Sequence, residues 1–428
     1  MAMNEVQLRI TYGSEDLWFR VPEKNFCYYV EPRVVSCMEN ESEGLLFALQ
    51  HPIGSPPLAE IIKPGMKILI ITDDNTRPTP KKRILPILIE ELCRCGIDER
   101  DIIILIALGT HRYMSQAEIR ETFGDALVNR IRIVNHEWDD PEQLVPLGYT
   151  PAGTKIVVNK KVCEADFVIG VGSIVPHSEA GWSGGGKIIQ PGICGWETTA
   201  ATHLLAARSQ DYLRIAGVVD NPVRREIESI ARRVGLKFVL NVVMGAKNKI
   251  YQAVCGDPVA AHRLGVAQAK NVYECEIPRL ADTVIVSAYP ADLDYWQGDK
   301  PVTYALRGIK QGGTIILVGR FPEGVSGSHP VMEKYGRCSY QQLSKLAQAN
   351  IIDDQVGLSA LFIHAHHKEK ASVICVSDGL TLQQKENLGF IHADSIEHAI
   401  RISYALQGEN SKIGVIDYGG DLLPVFKG

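Results

Sequence analysis

The chain has 428 residues, 45% apolar and 22% charged, the balance of a globular protein long enough for two domains. Its formal net charge of -5 implies no broad basic surface, which argues against a nucleic-acid protein. No apolar stretch reaches the roughly 20 residues that cross a bilayer and the first residues do not read as a signal peptide, so no membrane partner is expected. Ten scattered cysteines without a C-x-x-C pair then point to reduced thiols and a cytoplasmic protein.

In chain order, residues 1 to 35 alternate modestly (Val6, Leu8, Ile10; Leu17, Phe19, Val21) as an N-terminal hairpin would. The continuous apolar run Lys67 to Thr72 predicts a central strand, ending in the charged turn Asp73-Asp74-Asn75-Thr76-Arg77-Pro78 before a helix from Pro80 to Cys95. Lys81-Lys82-Arg83, the longest basic cluster, reads as a solvated helix start. The pattern repeats with a strand Asp101 to Ala107, the turn Leu108-Gly109-Thr110-His111-Arg112 and a helix from about Ser115. Alternation of this length predicts right-handed βαβ units and a mainly parallel sheet.

The stretch Pro176 to Gly192 (PHSEAGWSGGGKIIQPG) follows an apolar run, Ala165 to Val175, that reads as a buried strand. Its glycines imply positive φ or very close approach, and Lys187 is the charged group such a loop delivers. Gly181 to Lys187 spells the phosphate-loop pattern G-x-x-x-x-G-K, but Ile188 stands where a Ser or Thr would hold magnesium. Trp182, Pro176 and Pro191 argue against a mobile linker. A helix from Thr198 to Arg208 carries His203, and another after Pro258 carries His262.

The first domain is expected to span 1–270 and a second α/β domain 271–428, with a strand at Asp282 to Ser287, a turn Tyr295 to Lys300, a helix from about Pro301, and further strands at Gly313 to Val318, Ser372 to Val376 and Lys412 to Asp417. His364, His366 and His367 suggest another metal site or, equally, a solvated patch, and are left out of the expected site.

Taken as an ordered set, Asp73-Asp74-Asn75-Thr76-Arg77-Pro78, Gly109-Thr110-His111, Pro176-His177, Gly181, Ser183-Gly184-Gly185, Lys187 and His203 resemble the nickel-dependent lactate racemase family over nearly the whole chain. The resemblance implies two α/β domains with the active site in the cleft between them. It also implies a nickel-pincer nucleotide tethered to Lys187, with His203 as the protein's nickel ligand and Asp74, Thr76, Gly184 and Gly185 around the cofactor. His111 and His177 match paired acid/base histidines; Arg77, Lys300, Gln297 and Trp296 match the substrate side. The partners implied are a small 2-hydroxy acid and the enzymes that mature the cofactor. The implied chemistry is racemisation or epimerisation at C2 through a 2-keto acid, which avoids forming a carbanion beside a carboxylate.

Two departures bear on substrate. Trp296 stands where lactate racemases are expected to carry a tyrosine, and Val356 where a tryptophan follows Asp354-Gln355. A lost tryptophan is expected to enlarge the pocket, favouring a larger 2-hydroxy acid such as an aldonate over lactate. The alternatives are lactate racemisation proper, an NAD-type dehydrogenase, for which the chain lacks a clean G-x-G-x-x-G, and a non-catalytic nucleotide carrier.

Overall fold

The structure, a computed structural model, describes residues 4–209 and 212–427. Two six-stranded sheets organise it. In the first, the strand order is Ile250–Gly256, Leu236–Met244, Phe167–Ser173, Ile68–Asp73, Ile102–Ala107, Arg132–Asn135, parallel throughout except for the hairpin at its first edge. The central strands are apolar on both faces because helices cover both. Ile68, Leu69, Ile70 and Ile71 are all at most 2% exposed, each burial being worth about 1.5–3 kcal/mol against an extended chain.

The second sheet runs Ile391–His392, Ser372–Val376, Ile309–Val318, Ala281–Ser287, Ile413–Ile416, Phe26–Val30, all parallel. Its last strand comes from the N-terminus, and this corrects the expected 1–270 unit. The hairpin Glu5–Tyr12 with Glu15–Pro22 packs Leu8, Ile10, Phe19 and Val21 against Ile285, Ile316 and Val415 of the second sheet. Residues 5–30 therefore belong with the C-terminal half, because that is where their apolar face finds its cover.

The catalytic-looking turns leave the carboxyl ends of parallel strands, where open α/β sheets gather ligand groups. In the second half, the expected turn at Tyr295 to Lys300 is instead the start of a helix, Tyr295–Ala305, capped by Asp294 on the N–H of Gln297 at 2.9 Å. Gln297 and Lys300 thus project from a fixed helical turn. No helix among the described residues is long and apolar enough to cross a membrane, and all ten cysteines are free.

Candidate active site

Asp73-Asp74-Asn75-Thr76-Arg77 is built as a cage. The Asp73 carboxylate takes Lys81 Nζ at 2.8 Å and the Thr79 hydroxyl at 2.6 Å, and Lys81 also donates to the Asp74 carbonyl at 2.8 Å. Lys81 is 2% exposed, so it is a buried strut and not the solvated helix start expected. Asp74 Oδ1 accepts from the Thr76 N–H (3.0 Å) and hydroxyl (2.6 Å), and its Oδ2 accepts from His111 Nδ1 at 2.7 Å. Burial alone would raise this carboxyl, but His111, Arg77 and Thr76 override it and hold Asp74 well below the usual carboxylate range. Asp74 and Thr76, expected around a cofactor, are thereby committed to His111 and Arg77.

His111 is fixed from both sides. With Nδ1–H on Asp74, its Nε2 faces the Gln297 amide nitrogen at 3.1 Å. Gln297 cannot turn its oxygen there, because that oxygen accepts from Arg77 Nη1 (3.4 Å) and from Lys300 Nζ. In the neutral ring His111 Nε2 is therefore the nitrogen that carries the lone pair.

His177 lies in the short antiparallel pair Pro176–His177 with Gly181–Trp182. Its Nδ1 accepts the backbone N–H groups of Glu179 (3.2 Å) and Ala180 (3.3 Å), which leaves Nε2 as the protonated nitrogen of the neutral ring. Burial first, and then the nearby cations Lys187, Lys300 and Arg77, push His177 well below the ordinary histidine range. His203, on the helix Trp196–Ala207, donates Nδ1–H to the Thr199 carbonyl at 2.8 Å, and its Nε2 faces Glu179 at 3.5 Å.

The glycines serve the protein's own packing. A Cβ on Gly181 would sit 1.9 Å from the Val218 carbonyl oxygen; on Gly184, 2.7 Å from Ile174; on Gly185, 2.9 Å from the Pro258 carbonyl and 3.0 Å from His262. Gly184 borders the cavity, whereas Gly185 does not and packs against Pro258 and His262.

These groups line one cavity of about 110 Å³ between the two sheets, with Asp74, Arg77, His111, His177, Lys187 and His203 from the first half and Trp296, Gln297 and Lys300 from the second. Every residue expected at the site except Gly185 borders it. Thr76, Arg77, His177, Gln297 and Lys300 are also the rim of a larger groove of about 1120 Å³.

The electrostatics are lopsided. Burial, then Arg77 and Lys300, lower Lys187 well below the ordinary lysine range; burial, then Arg77, lowers Lys300 to about 7. Burial raises Asp421, on the groove, to about 6 despite Arg77 and Lys300. Three basic side chains, Arg77, Lys187 and Lys300, crowd together, while Asp73, Asp74 and Asp299 on the same cavity are engaged by Lys81, His111 and His367, which leaves the basic groups for an anionic ligand.

Other expectations are corrected. Val356 is 1% exposed inside the helix Gln355–Lys370 and does not border the cavity, so its small size opens no room there. His364 and His367 are each 1% exposed, bonded to Tyr295 and to Tyr212 and Thr303, and are core residues, not a solvated patch. The sequence singles out Thr110 and Asp354 only as members of their motifs and passes over Glu179, Asp421 and His329, none of which carries a local signal.

The family model for the lactate racemase N-terminal domain matches residues 12–213, and that for the lactate racemase C-terminal domain matches 278–423. A lactate racemase of Thermoanaerobacterium thermosaccharolyticum is 30% identical over 96% of this chain and 97% of its own length. One of Lactiplantibacillus plantarum is 32% identical over 97% and 98%. The solved lactate racemase apoprotein of Thermoanaerobacterium thermosaccharolyticum matches with a TM-score of 0.86 at 29% identity, covering 98% of this chain and 100% of that one. A Thermotoga maritima protein, 22% identical with a TM-score of 0.71 over 92% of this chain and 100% of its own, shares the fold.

Proposed function

This chain belongs to the lactate racemase family, and from that premise we propose that it inverts the configuration at C2 of a 2-hydroxy acid. The observation that carries the proposal is the convergence of Arg77 and Lys300 with two histidines of opposite tautomer in one buried cavity. The two cations hold the substrate carboxylate, Arg77 with the planar fork that suits a bidentate grip. His111, with Nδ1 held on Asp74 and Nε2 facing the Gln297 amide nitrogen, accepts the hydroxyl proton at Nε2. His177 presents Nε2–H as the hydrogen-bond donor to the oxygen. At rest the pair is thus one acceptor and one donor, not two equivalent bases.

The residues present fit a lysine-tethered nickel-pincer nucleotide. Lys187 is held toward the neutral, nucleophilic amine that forms an amide. His203 has its Nδ1 fixed by a carbonyl, which frees Nε2 for a metal. Among the described residues no group of three or more His, Cys, Asp or Glu is arranged to hold a metal, so a nickel on His203 would bring its other ligands with it. When bound, the nucleotide supplies a reversible acceptor for the hydride that leaves C2.

For the substituent at C3 there are two exits. Trp296, Met332 and Ala360 form an apolar end of the cavity that suits the methyl of lactate, the substrate in the names of two relatives. The groove beyond Arg77 and Lys300, lined by Asn75, Tyr289, Tyr418 and Asp421, suits the hydroxylated chain of an aldonate.

The test uses protein produced alongside cofactor-maturation enzymes, with intact mass, nickel analysis and a panel of single-enantiomer 2-hydroxy acids including lactate and an aldonate. A nickel-bearing adduct absent from Lys187→Ala, with C2 inversion of at least one panel member, is expected. Matured protein with no adduct and no inversion returns the cavity to the carrier alternative.

A further inference from the structure

The trio Thr110, His329 and Asp354 lies beside the cavity and is not used by the chemistry above. His329 is 4% exposed, as is Thr110. His329 Nδ1 donates to Asp354 Oδ2 at 2.8 Å, and that carboxylate's other oxygen accepts the Gly357 N–H at the start of the helix Gln355–Lys370. With its tautomer set in this way, His329 Nε2 accepts the Thr110 hydroxyl at 3.1 Å. The Trp296 ring stacks on the same imidazole, with centroids 4.2 Å apart and planes at 21°.

Thr110 and Trp296, which His329 touches besides Asp354, are the chain neighbours of the base and its amide partner. Thr110 precedes His111, in a loop anchored behind by the Gly109 N–H on the Gly192 carbonyl at 2.9 Å. Trp296 precedes Gln297, whose amide faces His111 Nε2. Thr110 belongs to the first half of the molecule; His329, Asp354 and Trp296 belong to the second. One imidazole therefore bridges the loop carrying His111 and the helical turn carrying Gln297 and Lys300, beside the Arg112–Glu323 ion pair that also joins the two halves there.

We propose that His329, oriented by Asp354, is a positioning residue that holds the His111 loop of one domain in register with the Gln297–Lys300 turn of the other. Its effect passes through the Thr110 hydroxyl and the Trp296 stack, and it touches no reacting atom. The proposal rests on His111 being the base. A misplacement of about 1 Å between base and substrate is enough for a loss of roughly 10²-fold, so the contact matters to turnover more than to binding: Arg77, in the other turn, still meets the carboxylate.

The experiment compares Thr110→Val, Thr110→Ser, His329→Phe and the double variant Thr110→Val/His329→Phe as matured enzymes. Removing the hydroxyl should lower kcat by about tenfold or more with KM within about twofold, while Thr110→Ser restores kcat. Adding His329→Phe to Thr110→Val should cost little more than either change alone, because both break one link. In unmatured protein, amide exchange at residues 108–112 should quicken in Thr110→Val and not in Thr110→Ser. Losses that multiply independently, or a lowered melting temperature with kcat intact, overturn the proposal. If the wild-type enzyme inverts no 2-hydroxy acid, the function proposed above fails, and the exchange measurement still decides whether His329 holds the loop.

Discussion

Replacing Asp74 with Asn tests the base at its root. Asn has nearly the same shape, so the cage around Asp73, Thr79 and Lys81 stays filled. Its orientation is not free. The position of Asp74 Oδ1 accepts the Thr76 N–H and hydroxyl, and a backbone N–H cannot become an acceptor, so the Asn oxygen must stay there. The amide nitrogen then faces His111 Nδ1, where a carboxylate oxygen stood 2.7 Å away. Nε2 already faces the Gln297 amide nitrogen, which Arg77 and Lys300 pin from behind. A neutral imidazole with donors on both nitrogens must oppose one N–H to another. The tautomer with Nδ1 unprotonated satisfies the new Asn and removes the lone pair from Nε2, so the base is lost. Positioned general bases contribute about 10²–10⁴-fold, and the analogous Asp→Asn change in serine proteases produces the wrong tautomer by the same logic. We expect kcat to fall by roughly 10³-fold, about 4 kcal/mol, with KM changed by no more than a few-fold because Arg77 and Lys300 are untouched. Steady-state rates in both stereochemical directions measure this, with nitrogen-15 spectra of histidine-labelled protein reporting the tautomer of His111. A variant that keeps rates within about fivefold, or that keeps Nδ1 protonated, refutes the reasoning.

Lys300, lowered to about 7 by burial and by Arg77, should gain a proton when a carboxylate arrives. Binding at pH 8 should therefore take up close to one proton, about 0.9 for a pKa of 7, which calorimetry in buffers of different ionisation enthalpy measures. Lys300→Met should remove that uptake. Gly181→Ala forces a left-handed φ of 79° on a residue with a Cβ and places that Cβ 1.9 Å from a carbonyl oxygen. Denaturant unfolding should show a loss of about 3 kcal/mol or more. Val356→Trp should overpack the core beneath the helix Gln355–Lys370 and cost about 1–3 kcal/mol. The 2-hydroxy acid preference should not move, because Val356 does not border the cavity.

The sequence marks the sheets well where burial is two-sided. A run such as Ile102–Ala107 is apolar along its whole length because both faces are covered, and the strand lies within a residue of where its composition places it. The N-terminal hairpin was equally visible as a hairpin, but not as part of the second sheet. Its alternation states only that one face is covered, and Phe26–Val30 pairs with Ile413–Ile416 at the far end of the chain. The helix Tyr295–Ala305 starts ahead of the expected entry at Pro301, which lies inside it. The truer start signal was Asp294 three residues before Gln297, which caps that residue's N–H.

The site residues were legible as types, whereas their division of labour was not, because it depends on which nitrogen or oxygen each partner occupies. His111 and His177 are the same residue, one in the turn after the strand Ile102–Ala107 and the other in the short pair Pro176–His177 that follows the strand Phe167–Ser173. One has a carboxylate on Nδ1 and the other two backbone N–H groups, so they rest in opposite tautomers. No one-dimensional pattern records that difference. It follows from an Asp 37 positions upstream in one case and from the chain's own next turn in the other. A single substitution at Asp74 should therefore make His111 resemble His177, converting the acceptor of the pair into a second donor and leaving the cavity with its cations and no base.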